Sequence, residues 1–325
     1  MSEKKTISIV VPVFNETEII EVFYQRCQKV FDYIDEYKFE IIFVDDGSED
    51  DSYKKMTDLA NSDKNVKIIK FSRNFGHQTA ITAGLDIADG AAVVVIDADL
   101  QDPPEVVTDF IKKWEEGYDV VYGVREKREG ESRMKLFTAS IFYRILKVLT
   151  RVDIPVDTGD FRLLSHRGVL RLRELREHDR FVRGLVSWIG FKQTAVYYRR
   201  QERYAGETKY PYRKMIKFAL DGITSFSSIP LKLATFLGYI TSAIALLYAL
   251  SVFIQKLFGI TVPGWATIMV GMLFLGGVQL ICIGIMGEYI ARIFNQTKER
   301  PMYIVEEIYS SGNNIDMTLH ENGEN

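Results

Sequence analysis

Val93-Val94-Val95-Ile96-Asp97-Ala98-Asp99-Leu100-Gln101-Asp102-Pro103-Pro104 is an apolar run of strand length that ends abruptly in carboxylates. A β-branched run without alternating polarity is the pattern of a strand buried on both faces, as in a parallel sheet covered by helices. If the strand continues through Asp97 and Asp99, their side chains point the same way. Two like charges at the mouth of a buried strand repel unless a hard divalent ion, Mg2+ or Mn2+, bridges them. So small a set of oxygen ligands shares its ion with substrate phosphates. Asp102 needs no such reading, because an Asp before Pro103-Pro104 suits a turn or the cap of a helix starting there.

Three similar units lead up to this stretch. Residues 6–11 form a β-branched strand stopped by Pro12, with Asn15 and Glu16 at the head of a helical stretch reaching about residue 35. Residues 40–44 form a second strand that ends in Asp45-Asp46-Gly47-Ser48 and continues as a polar helix through residue 59. Residues 66–71 form a third, leading into Ser72-Arg73-Asn74-Phe75-Gly76-His77 and a small-residue helix over 79–88. Alternation at this spacing predicts a parallel α/β sheet, and such sheets bind ligands outside the carboxyl ends of their strands. Four strand ends therefore place polar residues on one rim. Neither a Walker loop nor a G-x-G-x-x-G turn is present, so the acids take the nucleotide-holding role. Asp45 or Asp46 would accept hydrogen bonds from ribose hydroxyls or a base N–H. Asp46-Gly47-Ser48 also reads as a turn with a helix cap at Ser48, and the two readings are compatible.

Beyond the opening stretch, residues 120–123 read as another strand, followed by a strongly charged run over 125–133. Residues 134–149 mix apolar and basic positions, which fits either an amphipathic helix on the sheet or an interfacial helix against anionic lipid. Asp157-Thr158-Gly159-Asp160-Phe161-Arg162 reads as a polar loop entering an apolar segment, and its two acids are candidates for chemistry. Arg199, Arg200, Arg203, Lys209 and Arg213 then lie among tyrosines. A charge run is ordinarily a solvated face, but before a membrane span it suits a phosphate held at the membrane surface.

The chain has 325 residues with 47% hydrophobic composition, enough for one large domain and something smaller. A net charge of −3 argues against nucleic acid as a partner. Cys27 and Cys282 are the two cysteines, which suggests neither a disulfide framework nor a thiolate metal site and fits a reducing, cytoplasmic setting. Residues 1–6 are polar and lack the apolar core of a signal peptide, so export is not expected. No charged residue lies between Lys232 and Lys256, nor from Leu257 to Gly287. That is room for two membrane-spanning helices of about 20 residues each, placed at 233–254 and 265–287. Arg213, Lys214 and Lys217 precede the pair, and Arg292, Lys298 and Arg300 follow it. By the positive-inside rule both flanks are cytoplasmic, and with them the catalytic domain and both termini of an inner-membrane protein. Gly271, Gly276 and Gly277 admit close helix packing and hence self-association. Residues 211–227 read as a second interfacial helix, 302–309 as a short strand or amphipathic anchor, and the polar tail from 310 as disordered. The division is thus 1–228, 229–290 and 291–325.

Together, Pro12-Val13-Phe14-Asn15-Glu16, Asp45-Asp46-Gly47-Ser48, Ser72-Arg73-Asn74-Phe75-Gly76, the Asp97–Pro104 stretch and Thr158-Gly159-Asp160-Phe161-Arg162 resemble the inverting GT-A glycosyltransferases of family 2. More narrowly, the chain is similar to the polyprenyl-phosphate glycosyltransferases, the group of bactoprenol glucosyltransferases and dolichol-phosphate mannose synthases. The resemblance implies an α/β GT-A domain, Rossmann-like with a mixed but mainly parallel sheet, followed by a two-helix transmembrane hairpin. It implies a UDP-sugar donor, a polyprenyl phosphate acceptor such as undecaprenyl phosphate, and a divalent metal at Asp97 and Asp99 with Gln101 near the diphosphate. Pro12, Phe14, Asn15, Glu16, Asp45, Asp46, Asp97 and Ala98 would line the nucleotide pocket, with Arg73, Asn74, Gly76, Arg125 and Arg162 also in the site. Asp160 is the family's usual active-site acid, grouped here with Asp99 and Asp157. Arg200-x-x-Arg203-x-x-Gly206-x-Thr208-Lys209 resembles the acceptor-phosphate loop, with Thr208 where many relatives carry serine.

The nucleophile in such a reaction is a phosphate oxygen whose second pKa is about 6, so at neutral pH no strong base is obligatory. Asp160 is then left to orient the sugar or a basic side chain. A processive polysaccharide synthase is disfavoured, because no tryptophan here completes a Gln-x-x-Arg-Trp motif. A catalytically silent membrane scaffold or nucleotide-sugar sensor shares the fold, but the intact acids argue against it. Glucose and N-acetylglucosamine are not separated by any residue; mannose from a guanosine donor is less favoured, since the match is closer to the bacterial two-span group.

Overall fold

The computed structural model describes residues 4–126, 158–178, 180–201, 227–258, 264–310 and 313–314. Four β-branched segments form the parallel centre of one sheet: β1 (Thr6–Val13), β2 (Lys38–Asp45), β3 (Val66–Phe71) and β4 (Ala92–Val95). β5 (Val120–Arg125), β6 (Thr158–Ser165), β7 (Gln193–Tyr198), β8 (Val305–Ser310) and β9 (Asn313–Asn314) extend it in the order β7-β5-β6-β4-β1-β2-β3-β8-β9. β6 is antiparallel to both β4 and β5, and β8 is antiparallel to β3, so the sheet is mixed and mainly parallel.

Alternation along the strands divides the core in two. Ile9 and Ile41 face the layer of α1 (Ile20–Phe31), α2 (Ser52–Ser62) and α4 (Val107–Glu115), where Phe23, Met56 and Phe110 are fully buried. Val10 and Ile42 face α3 (His77–Ile87), α5 (His166–Glu174) and α6 (Val182–Trp188). With helices on both faces, the strands must be apolar throughout, which is why they read as continuous β-branched runs.

Several elements differ from the sequence expectation. β4 stops at Val95, so Asp97-Ala98-Asp99 lies in the turn beyond it, and Leu100 takes a left-handed φ of 56°. The common direction of the two aspartates is thus set by a turn, not by strand alternation. β1 does not stop at Pro12 but runs to Val13, in register with Asp45. Residues 158–165, expected to begin as a polar loop, form a fully buried strand. Both its edges are paired, so its polar side chains must find internal partners. β7, α5 and α6 were not expected from the pattern. Residues 302–309, open between strand and anchor, enter β8 at Val305; β8 runs on to Ser310 and pairs with β9, so ordered strand reaches into the stretch from 310 expected to be disordered, and the segment after the second long helix rejoins the catalytic sheet.

α7 (Ile229–Leu257) and α8 (Trp265–Thr297) have mean hydropathies of 2.0 and 2.3 over their most apolar windows and are long enough to cross a bilayer. At 1.5 Å per residue each exceeds the roughly 30 Å of a hydrocarbon core, so their ends project beyond it. Among the described residues, nothing beyond α8's own backbone lies within 4 Å of where a Cβ of Gly271, Gly276 or Gly277 would stand, so α7 does not pack on them. Residues 134–149 lie outside the described residues, as do 211–226. The foot of α8 is fastened to the catalytic domain. The Gln296 amide accepts from His178 N at 2.9 Å and donates to Arg176 O at 3.1 Å. Tyr303 stacks on Phe71 with ring centroids 5.1 Å apart and donates to Asp86 at 2.7 Å.

Candidate active site

The carboxyl ends of β1 to β4 enclose a cavity of about 280 Å³. Pro12, Phe14 and Glu16 form one wall, Asp46, Asn74 and Gly76 the floor, and Asp97, Ala98 and Asp99 the opposite side. His77 and Ala80 of α3 complete it. Asn15, at a left-handed φ of 54°, is used to fix the loops: its N–H donates to Ser48 Oγ at 3.0 Å and its Oδ1 accepts from Glu49 N at 2.8 Å.

Asp46 accepts from Phe75 N at 2.6 Å and Gly76 N at 2.9 Å, which draws the loop after β3 over the end of β2. Gly47 permits that approach, with φ at 71° and a would-be Cβ 2.5 Å from the Arg73 carbonyl carbon. Burial raises the Asp46 carboxyl above its ordinary value against those two donors. Asp45 is fully buried behind the cavity; Oδ1 accepts from Ser48 N at 3.1 Å, and Oδ2 has no hydrogen-bond partner among the described residues. Arg73 caps the same loop, donating to Asn74 O at 2.9 Å and lying 3.9 Å from the Phe75 ring centroid.

Asp97 and Asp99 suit a hard cation. Asp97 Oδ1 is buried without a hydrogen bond among the described residues, and burial with the charges of Asp160, Asp102 and Asp99 pushes the carboxyl up to about 6, against the opposing pull of His77. An ionised Asp97 is therefore short of positive charge, and its donor atoms are oxygens of the kind Mg2+ and Mn2+ take. Among the described residues, no group of three or more His, Cys, Asp or Glu side chains is placed to hold an ion by itself. The pair fits an ion completed by ligand oxygens.

Asp160, on buried β6, is engaged on both oxygens. Arg183 Nε and Nη2 donate to Oδ1 and Oδ2 at 2.8 and 2.9 Å, and Gln78 Nε2 donates to Oδ2 at 3.2 Å. His77 Nε2 stands 3.3 Å from Asp160 Oδ2 and 3.5 Å from Asp97 Oδ1, linking the two acids. Burial opposes ionisation of Asp160, but Arg183, His77 and Arg162 outweigh it and hold the carboxyl well below the usual range. Burial likewise opposes the His77 cation, yet the Asp160 hydrogen bond and the charges of Asp97 and Asp160 raise it to about 9. Arg162 faces inward, donating to Gly159 O at 2.8 Å and Asp160 O at 3.2 Å, and burial lowers it to about 10. It braces β6 rather than lining the cavity.

Asp102 does more than cap a turn. It caps nothing with its side chain, is 1% exposed, and accepts from Tyr198 OH at 2.5 Å and from Arg125 Nη2 at 3.3 Å. Arg200 Nε lies 3.8 Å away. One residue earlier, Gln101 O accepts from Gln201 N at 3.0 Å, so the basic segment that starts at Arg199 is anchored on the acidic turn. Arg26 braces the junction from α1, gripping Glu105 through two bonds and Gln201 Oε1 at 2.8 Å.

The structure thus assembles Pro12, Phe14, Glu16, Asp46, Asn74, Gly76, Asp97, Ala98 and Asp99 around one cavity, with Asp160, Gln101, Arg125 and Arg200 adjoining. Asp157, Arg203, Thr208 and Lys209 lie outside the described residues. His77, Gln78, Arg183, Tyr198 and the role of Asp102 escaped sequence reasoning. Only His77 carried a signal, as the last residue of the loop motif after β3.

Residues 8–172 match glycosyl transferase family 2, and residues 229–293 match the GtrB C-terminal hairpin. The chain is 52% identical over 314 residues to uncharacterized glycosyltransferase YkcC of Bacillus subtilis (strain 168), covering 96% of this chain and 97% of the relative. It is 44% identical over 301 residues to bactoprenol glucosyl transferase of Shigella phage SfV, covering 92% and 98%. Glucosyl-3-phosphoglycerate synthase from Mycobacterium tuberculosis, crystallised with Mn2+, UDP-glucose and phosphoglyceric acid, superposes with a TM-score of 0.47 at 19% identity, over 68% of this chain and 78% of that one. With a match over half its length and relatives alike from end to end, this chain belongs to glycosyl transferase family 2 and carries a GtrB-type C-terminal hairpin.

Proposed function

We propose that this glycosyltransferase transfers a sugar, glucose or N-acetylglucosamine, from a UDP-sugar to a polyprenyl phosphate such as undecaprenyl phosphate, with inversion, at the cytoplasmic face of the inner membrane. One observation carries the reading: the hydrogen bond from Gln201 N to Gln101 O sets the start of a basic segment directly against the acid pair. A site for two anions, one held through a cation and one by arginines, is what transfer between a sugar diphosphate and a lipid phosphate requires. The membrane hairpin and the likeness to a bactoprenol glucosyl transferase support the lipid acceptor.

Pro12, Phe14, Glu16 and Asp46 receive the nucleoside, while Asn15 and Asp45 hold the loops that shape its pocket. Asp97 and Asp99, with Gln101 beside them, would hold Mg2+ or Mn2+, which when bound supplies Lewis-acid stabilisation of the departing diphosphate. Arg200, with Arg203, Thr208 and Lys209, holds the acceptor phosphate; its oxygen bonds to the sugar's anomeric carbon as the bond to the diphosphate oxygen breaks. Asp160 takes no proton in this scheme. Its oxygens are occupied by Arg183, Gln78 and His77, and the acceptor is largely anionic above about pH 6. Asp160 instead fixes His77 against Asp97. The glycine-bearing face of α8, which α7 leaves open, is where a second copy of the hairpin would pack.

The test uses purified full-length protein in detergent with Mg2+, each of UDP-glucose, UDP-N-acetylglucosamine and GDP-mannose, and undecaprenyl phosphate present or absent. Nucleoside diphosphate should appear only with a UDP-sugar and the lipid together. Release independent of lipid, or none with any donor, would overturn the reading.

A further inference from the structure

We infer that Asp102 is a positioning residue that presents Arg200 to the acceptor phosphate, an assignment that rests on the function proposed above. The carboxylate is 1% exposed and faces two guanidinium groups, Arg125 Nη2 at 3.3 Å and Arg200 Nε at 3.8 Å. Tyr198 OH fixes its Oδ1 from a third direction at 2.5 Å. Tyr198 and Arg125 are register partners on the parallel pair β5 and β7, so the strand ladder places both donors beside the acid.

The two distances differ in kind. At 3.3 Å, Arg125 is within hydrogen-bond range of Asp102; at 3.8 Å, Arg200 is beyond it and is held by charge alone. Arg200 is thereby kept in place without a hydrogen bond to the carboxylate, its Nε buried against the acid. The charges of Asp102 and Asp99 both bear on Arg200, but neither forms a hydrogen bond with its Nε, and the side chain is 31% exposed, so a phosphate can still reach the guanidinium.

Asp102 is also three residues from Asp99 in the same turn, and Gln101 between them binds Gln201 of the basic segment. The carboxylate therefore ties the acceptor arginine to the turn that carries the donor-side acids. Moving that turn would move Arg200 with it.

The inference is tested on the full-length enzyme in detergent by Asp102→Asn, which keeps an acceptor for Tyr198 and removes the charge. Loss of one charge-assisted restraint should raise KM for undecaprenyl phosphate about tenfold, with KM for the UDP-sugar and affinity for UDP changed less than about twofold. In the Arg200→Ala background the same substitution should add little, because its effect runs through Arg200. If Asp102→Asn does not fold, Tyr198→Phe replaces it and should shift lipid KM in the same direction by about threefold. An unchanged lipid KM, an equal rise in donor KM, or full additivity with Arg200→Ala would overturn the inference. A wild-type enzyme without lipid-dependent transfer would instead overturn the proposed function, so the two failures are distinct.

Discussion

Arg183 closes a two-bond fork on Asp160, Nε to Oδ1 at 2.8 Å and Nη2 to Oδ2 at 2.9 Å, and so favours the anion of an acid that is buried on β6. The fork occupies one oxygen each, while Gln78 and His77 share Oδ2. A carboxylate held this way orients its neighbours more readily than it accepts a proton. Because Gln78 Oε1 also accepts from Val182 N at 3.0 Å, the start of α6 is locked to α3 through the same cluster.

Arg183→Ala should therefore remove the largest share of the compensation at Asp160, leaving His77 and Arg162, and lower kcat about a hundredfold, equivalent to about 2.7 kcal/mol in the barrier. UDP affinity, read by calorimetry, should stay close to wild type. Asp160→Asn should slow transfer without altering the shape of the pH profile. The rate should still rise with pH through about 6 as the acceptor phosphate loses its second proton. Loss of that limb in the variant would show that Asp160 is the titrating base.

Asp99→Ala should abolish transfer and the response to Mn2+ together. Mn2+ should raise the melting temperature of the UDP-bound wild type by mass action and leave that of the variant unchanged. A variant that still gains stability from Mn2+ would place the ion elsewhere.

Gly84→Ala tests the packing of α3 on the sheet. A Cβ at this position would stand 2.2 Å from Val10 Cγ1, inside a fully buried layer. Overpacking of this kind costs about 1–3 kcal/mol, which a lowered denaturation midpoint should report. Val10→Ala in the same background should recover part of the loss.

Ending the chain after Arg300 should destabilise the catalytic domain although every motif is retained. The truncation removes β8, exposing the β3 edge, and takes away Tyr303, which stacks on Phe71 and bonds Asp86. Earlier proteolysis and a lower melting temperature than the full chain are expected. Equal stability would show the 302–310 segment to be dispensable.

Much of the donor side was legible because it is local. A β-branched run that breaks off into polar residues, acids after β2 and β4, announces both a buried strand and the rim where it ends, and four such ends in succession defined the cavity wall. Asp160 could be picked out as an acid but not understood: β6 reads as a polar loop because Asp160 and Arg162 interrupt it. Burial there is affordable only because Arg183, some twenty residues further on, and Gln78 on another helix arrive to neutralise it. Asp102 was misjudged for the same reason, since a turn explains it locally and its partners come from afar in the chain, Arg125 and Tyr198 on β5 and β7 and Arg200 just beyond β7.

The amino-acid sequence by itself determined the first four strands with their helices, the mainly parallel sheet, the apolar hairpin, and the acids that line the donor cavity, because periodicity and composition act over a few residues. The tertiary structure decided which charges are paired and which are left over. It ended β4 before Asp97, gave Asp160 to Arg183 and Asp102 to Tyr198 and Arg125, and returned the chain from α8 to the edge of β3. Those choices depend on which groups lose water together, and desolvation is a property of the folded neighbourhood, invisible in any short stretch of chain.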